Sequence, residues 1–282
     1  PARGLGLHVA DDADTSAASD ALLRLMNGQL SNGLPQLSTL ENYIVEAGSA
    51  KPVLLRGVNR SGLEWAEPNE EGFCSAAGIS RAEIEFIVTG WNCNIIRLPF
   101  NHDWALNGRR GHSAEEYMSN LDRVIDWASR VGAYTLLDLQ WLDADRRFGG
   151  NRNFVAPLPN LWSLEVWELL ASRYHDEPAV LYDLFNEPHD CLPDDPYPLV
   201  REDGGLYPMT HRRVTMAEWQ PWALRLIDVI RLANRDAVVF VSGINWGYDL
   251  RGMPLNRANL VYSTHVYNNK DVGWEDAFGS LA

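Results

Sequence analysis

The tripeptide Asn186-Glu187-Pro188 closes an apolar, strand-like run over 180–185, and a carboxyl group in that position can move a proton. Pro188 is expected to stop the strand, because proline cannot donate the next ladder hydrogen bond. Glu187 would then stand at the carboxyl end of a strand, the rim where (β/α)8 barrels keep their reactive groups. With the Asn186 amide beside it, such a carboxyl is equipped to protonate a glycosidic oxygen.

Other strands end in the same manner. The first ends in Asn59 and Arg60, the second carries Arg97 and is followed by Asn101, His102 and Trp104. The third gives Gln140 and Trp141 with Asp143 and Asp145 behind, the fifth Asn245 and Trp246, and the sixth His265 and Tyr267. Any one of these has an ordinary structural reading: Arg97 as a salt-bridged core arginine, His265 as a satisfied buried histidine, Trp141 and Trp246 as packing residues. Their common position at one end of every strand favours a rim that binds and transforms a ligand.

The elements that must hold these residues alternate along the chain. Two β-rich runs, 42–45 and 53–58, flank a small-residue turn over 47–51 and predict a hairpin leading into a strand. The spacing then predicts a helix over 79–90 ending at Gly90, a strand over 94–98 stopped by Pro99, a helix over 121–131 stopped by Gly132, and a strand over 134–139. A helix over 164–174, the strand 180–185, a long loop over 191–215, a helix over 219–233, strands over 237–242 and 260–265, and a helix from Trp274 complete the order. Strands that alternate with helices make a parallel sheet covered by helices. Because Asn59-Arg60-Ser61-Gly62 after the first strand is no glycine-rich phosphate loop, a barrel is favoured over a doubly wound nucleotide-binding sheet. About six βα units can be read, so the expected fold is an α/β, (β/α)8 TIM barrel with two units short. Residues 1–38 read as a poorly defined arm, with a short helix over 21–26, and 39–282 as the barrel domain.

The bulk composition narrows the partners. A net charge of −14 over 282 residues would repel nucleic acid and anionic membranes and suits a neutral substrate. No window reaches the length of a membrane span. Three cysteines, Cys74, Cys93 and Cys191, without a CxxC spacing signal neither a zinc site nor a disulfide framework; they read as partly buried free thiols, with a single disulfide among them as the open alternative. Eleven tryptophans supply core packing and, where exposed, faces on which a sugar can stack.

The strings Leu55-Arg56-Gly57-Val58-Asn59, Ile96-Arg97-Leu98-Pro99, Asn186-Glu187-Pro188 and His265-Val266-Tyr267, in this order and spacing, resemble glycoside hydrolase family 5, the cellulase-type family of clan A. The resemblance covers about residues 40–282. It implies a (β/α)8 barrel, retaining hydrolysis of β-linked glycans, and no metal or other cofactor. It also implies roles: Glu187 as general acid/base, Asn186 as the neighbour that binds the sugar 2-hydroxyl, Arg97 beside the nucleophile, and His265 and Tyr267 against substrate and the catalytic carboxylates. Trp141 and Trp246, by position, are expected to stack on sugar. Gln140 stands where many members carry a histidine, so hydrogen bonding is retained there without titration.

The family nucleophile is a glutamate at the end of the seventh strand. The sequence stops at Ala282, within the helix that follows His265-Val266-Tyr267, so the expectation is that the nucleophile is absent and the 282-residue chain does not hydrolyse glycans unaided. Glu275 lies at a helix start and Asp138 inside a strand, so neither is recruited for that part; Asp138 reads as structural. The chain opens without the charged-then-apolar pattern of a signal peptide, while the acidic pI of 4.9 and the resemblance hint at secretion. Two other readings remain open: a mannanase or glycolipid hydrolase of the same clan, and a carbohydrate-binding protein on a degenerate barrel.

Overall fold

The computed structural model describes residues 33–141, 156–190 and 213–279. The arm up to residue 32 with its helix over 21–26, the loop over 191–212 with Cys191, and Asp143 and Asp145 lie outside the described residues, as does the Trp141 side chain.

Six parallel strands, β3 (Gly57–Asn59), β4 (Ile95–Asn101), β5 (Tyr134–Trp141), β6 (Val180–Asp183), β7 (Val239–Ser242) and β8 (Leu260–Ser263), lie side by side in chain order. Strands that neighbour one another in chain order make the curled sheet of a (β/α)8 barrel, with six of its strands among the described residues. Helices cover the outer face: α1 (Phe73–Ala77), α2 (Arg81–Trp91), α3 (His102–Asn107), α4 (Ala114–Arg130), α5 (Leu161–Arg173) and α6 (Met216–Ala233), with α7 (Trp274–Ala277) after β8. Two-residue periodicity sends Ile96, Leu98 and Phe100 of β4, and Leu137 and Leu139 of β5, outward to the helices. Tyr134 and Leu136 of β5 and Leu181 of β6 point inward.

Among the described residues the predicted helices and strands are present, with shifted ends. The hairpin pairs β1 (Leu37–Leu40) with β2 (Tyr43–Glu46), so its tight turn is at Glu41 and Asn42 rather than over 47–51. The second run does return against β2, through the Val45–Pro52 bridge and the bond from Val53 N–H to Ile44 O, 2.8 Å. Leu37 and Ile44 plug the lower end of the sheet against Tyr134, Leu136 and Leu181. Helix α2 runs through Gly90 and ends on Asn92, whose φ of 58° supplies the left-handed cap.

Pro99 does not stop β4. Arg97 O accepts from Arg60 N on the β3 side, 2.8 Å, and every second residue of a strand faces the same neighbour. Pro99 therefore turns its absent N–H toward β3, which has already ended at Asn59 opposite Arg97. One step on, Asn101 N–H donates to Tyr117 Oη instead of to a strand, 2.9 Å.

Helix α4 begins seven residues before the predicted start. Ser113 Oγ accepts from Glu116 N, 3.1 Å, and Glu116 Oε2 accepts from Ser113 N, 2.6 Å, a reciprocal cap. Ser113→Ala is expected to cost about 1 kcal/mol, read as a lower urea midpoint with an unchanged slope.

Candidate functional site

The carboxyl ends of the strands converge on Arg97. Its position on the inward face of β4 sets it opposite Asn59 and beside β5, where Asp138 shares the inward parity of Tyr134 and Leu136. Asp138 in turn pairs in register with Asp183 of β6. Arg97 Nε donates to Asp183 Oδ2, Nη1 to Asn59 Oδ1 and Nη2 to Asn186 Oδ1, each 2.9 Å, while Nη2 lies 2.9 Å from Asp138 Oδ1. The guanidinium thus donates to three partners and lies against a fourth, and the Asn186 carboxamide is turned oxygen-inward.

Burial governs the electrostatics here. Asp138 is fully buried and Asp183 nearly so. Burial pushes the Asp138 carboxyl well above the ordinary aspartate range; Arg97 pulls it down, and Asp183, Glu64 and Glu187 add to the rise. Burial works against the charge on Arg97, but attraction to Asp138 and Asp183 outweighs it, so the guanidinium is held more firmly protonated than usual. Because the folded Asp138 keeps a proton that the unfolded chain has released, stability is fullest below the ordinary aspartate range and falls as pH rises toward the raised value. Asp138→Asn is expected to flatten that slope by up to about 1.4 kcal/mol per pH unit, measured by urea unfolding between acid and neutral pH. An unchanged slope would show that Asp138 is not its source.

Beyond this buried layer stands Glu187. Its Oε1 lies 2.7 Å from Nδ1 of His265, within one hydrogen bond, and both side chains are about one-fifth exposed (17% and 20%). The pairing spans the sheet from the end of β6 to the end of β8. Gly247 makes room for it: a Cβ there would fall 3.0 Å from the His265 ring and 3.3 Å from Glu187 Cγ.

Gly247 belongs to a turn after β7 in which Asn245, Trp246 and Gly247 have φ of 56°, 63° and 70°. Left-handed backbone costs a residue such as Trp246 about 1–2 kcal/mol, so neighbours must hold the turn. Trp246 N–H donates to Pro188 O, 2.9 Å, and His265 N–H to Gly247 O, 2.9 Å. The Trp246 indole stacks on the His189 ring at 4.0 Å and 14°, with 38% of the residue exposed. Tyr267 is half exposed, and Lys270 Nζ lies 5.6 Å from its ring. Burial lowers the pKa of Lys270 from the ordinary lysine value, and Glu187 opposes the shift.

Of the residues singled out from sequence, Arg97, Asn186, Glu187 and His265 come together, with Trp246 and Tyr267 on the exposed side. Gln140 lies on β5 two residues beyond Asp138 on the same face, and Trp141 pairs with Asn101 at the strand end. Other strand-end residues hold the scaffold instead. Arg60 grips Glu83 and the carbonyls of Ser61, Ala77 and Gly78; Asn101 caps α3; Trp104 is buried against Phe73 and Tyr117. Sequence reading passed over Asp183 and Glu64. Asp183 shares its parity with Leu181 on an inward face, a signal that was present in the strand pattern. Glu64 lies in a loop, is only 4% exposed, and accepts from Gly62 N at 2.6 Å, which no periodicity announces.

The Cellulase (glycosyl hydrolase family 5) family model matches residues 49–278. Endoglucanase MaCel5A of Microbulbifer sp. (strain ALW1) is 25% identical over 226 residues, covering 77% of this chain and 36% of that protein. Endoglucanase N of Pectobacterium atrosepticum is 21% identical over 239 residues, covering 82% and 43%. The chain thus spans less than half the length of these curated relatives. In fold, it matches the β-glucanase SdGluc5_26A from Saccharophagus degradans in complex with cellotetraose, with a TM-score of 0.61 at 22% identity over 90% of this chain and 69% of that one. An endocellulase from Pyrococcus horikoshii, also in complex with cellotetraose, gives 0.61 at 21% identity over 89% and 78%.

Proposed function

The chain belongs to glycosyl hydrolase family 5, the cellulase family, and on that premise we propose that it carries the proton-transfer half of a retaining β-glycosidase site acting on β-linked glucan. The observation that carries this reading is the Glu187–His265 hydrogen bond at the strand ends, beside an Asn186 whose orientation Arg97 fixes. Glu187 is the acid that protonates the leaving oxygen and, after the glycosyl-enzyme forms, the base that activates water. His265 orients its carboxyl. With its oxygen bound to Arg97, Asn186 offers Nδ2 as a donor to the sugar 2-hydroxyl. Trp246 presents an indole face to a sugar ring, Tyr267 and Gln140 extend the polar rim, and Trp141 is assigned to sugar stacking from its place at the end of β5 alone.

A retaining reaction needs a second carboxylate about 5 Å from the acid. Asp138 and Asp183 are committed to Arg97 and buried, so neither is assigned that part. The nucleophile is assigned to a seventh strand, as family membership implies. The same observation favours a second reading for the 282-residue chain: a glycan binder without turnover.

Reducing-sugar release from soluble β-glucan, mannan and a glycolipid tests both. The comparison is between the 282-residue chain and an eight-stranded form that adds the last two βα units of a family 5 endoglucanase. Turnover of β-glucan by the eight-stranded form alone is the expected result. Turnover by the shorter chain would overturn the nucleophile assignment. Cellotetraose binding by both forms, without release by either, would favour the binder.

A further inference from the structure

The left-handed turn after β7 has a fastening that the chemistry of the site does not require. Lys270 Nζ donates to Asn245 O, 2.8 Å, at the first of the three left-handed residues. Its ammonium also lies 5.7 Å from the Tyr248 ring and 5.6 Å from the Tyr267 ring, so aromatic faces on two sides hold the cation in place. Lys270 comes from the segment after β8 that also supplies His265, whereas the turn belongs to the β7 end. The bond therefore ties two neighbouring rim loops together.

We propose that Lys270 is a positioning residue: its ammonium locks the Asn245–Gly247 turn over the Glu187–His265 pair and so fixes the exposed Trp246 face as a glycan-stacking surface beside the acid. The turn is a single rigid unit in this respect. Its first carbonyl is held by Lys270, its middle amide by Pro188 O, and its last carbonyl by His265 N–H. Release at Asn245 loosens a left-handed run in which Trp246, unlike Asn245 or Gly247, needs its neighbours to hold the conformation. The indole would then leave the His189 ring, while Gly247 would no longer sit against His265. A methionine at 270 fills similar space but cannot donate; an arginine can.

This inference rests on the proposed glycan site for what the turn presents, and its test reads the turn directly. The 282-residue chain is labelled with 5-fluorotryptophan, and the Trp246 fluorine resonance is identified by its loss in Trp246→Phe. In Lys270→Met the Trp246 resonance is expected to shift and broaden while the other tryptophan resonances stay in place, and Lys270→Arg is expected to restore it. Titration with cellotetraose should show affinity weakened roughly tenfold in Lys270→Met, because the stacking face must be ordered on binding, and recovered in Lys270→Arg. Lys270→Gln, too short to span the bond, carries the same expectation should the methionine variant not fold. An unchanged Trp246 resonance in the ligand-free variants overturns the lock. If instead cellotetraose fails to move the wild-type Trp246 resonance, the glycan-stacking role fails while the lock is judged separately on the ligand-free spectra.

Discussion

Glu187→Gln lowers kcat on soluble β-glucan by about 10²–10⁴-fold in the eight-stranded form, the range that a positioned general acid and base contributes. The amide keeps the shape of the side chain and its hydrogen bond with His265 Nδ1, so the Gly247 contact and the fold are preserved. It cannot give up or take a proton at the leaving oxygen, so both chemical steps suffer. Cellotetraose affinity is expected to stay near that of the parent, since the binding contacts proposed for Asn186 and Trp246 are untouched. A substrate whose leaving group departs without protonation, such as an activated aryl glycoside, should recover the first step but not the second. Steady-state rates on both substrates make the check. Wild-type kcat on β-glucan in the variant removes Glu187 from the role of acid and base.

The second large effect concerns stability. Arg97→Met is expected to destabilise the chain by about 3–5 kcal/mol, because removing one partner of a buried ion pair leaves uncompensated charge behind. Here two aspartates lose the same partner, and Asp138 is already pushed upward by burial. Without the guanidinium, which pulls against the rise, the folded Asp138 carboxyl holds its proton still more firmly than the unfolded chain does. The variant should therefore come closest to the parent in acid and fall away as pH rises through the carboxylate range. Adding Asp138→Asn and Asp183→Asn to Arg97→Met should return much of the loss at neutral pH, since an amide carries no charge to compensate. Urea unfolding at acid and neutral pH reads both parts. A neutral-pH loss below about 1 kcal/mol, the scale of an exposed pair, would mean that the cluster is solvated rather than buried.

Most of the scaffold could be read from local pattern. Apolar strands alternating with amphipathic helices made a parallel, helix-covered sheet the expected outcome, and Asn186-Glu187-Pro188 at the end of such a strand pointed to its rim. Element ends were less legible. Pro99 reads as a stop in any single strand, and only the early end of β3 makes it harmless. The true start of α4 lay in Ser113 and Glu116, a capping signal that hydrophobic spacing does not weigh. The hairpin turn was misplaced because a small-residue stretch is a stronger turn signal than Glu41-Asn42, whose conformation is held by the pairing of β1 with β2.

Residue types and period therefore sufficed for strand order, for the face that each strand turns inward, and for the carboxyl, amide, arginine and histidine that end at one rim. Partnership among them did not follow from those patterns. That Glu187 meets His265, 78 residues away, and that Arg97 is shared by Asp138, Asp183, Asn59 and Asn186, depends on register between strands and on the curl of the sheet. The left-handed turn carrying Trp246 is likewise held in part by Pro188, His265 and Lys270, partners that no local pattern announces. Periodicity is a property of neighbours along the chain and survives in any short segment; a hydrogen bond across a barrel exists only once every intervening strand has taken its place.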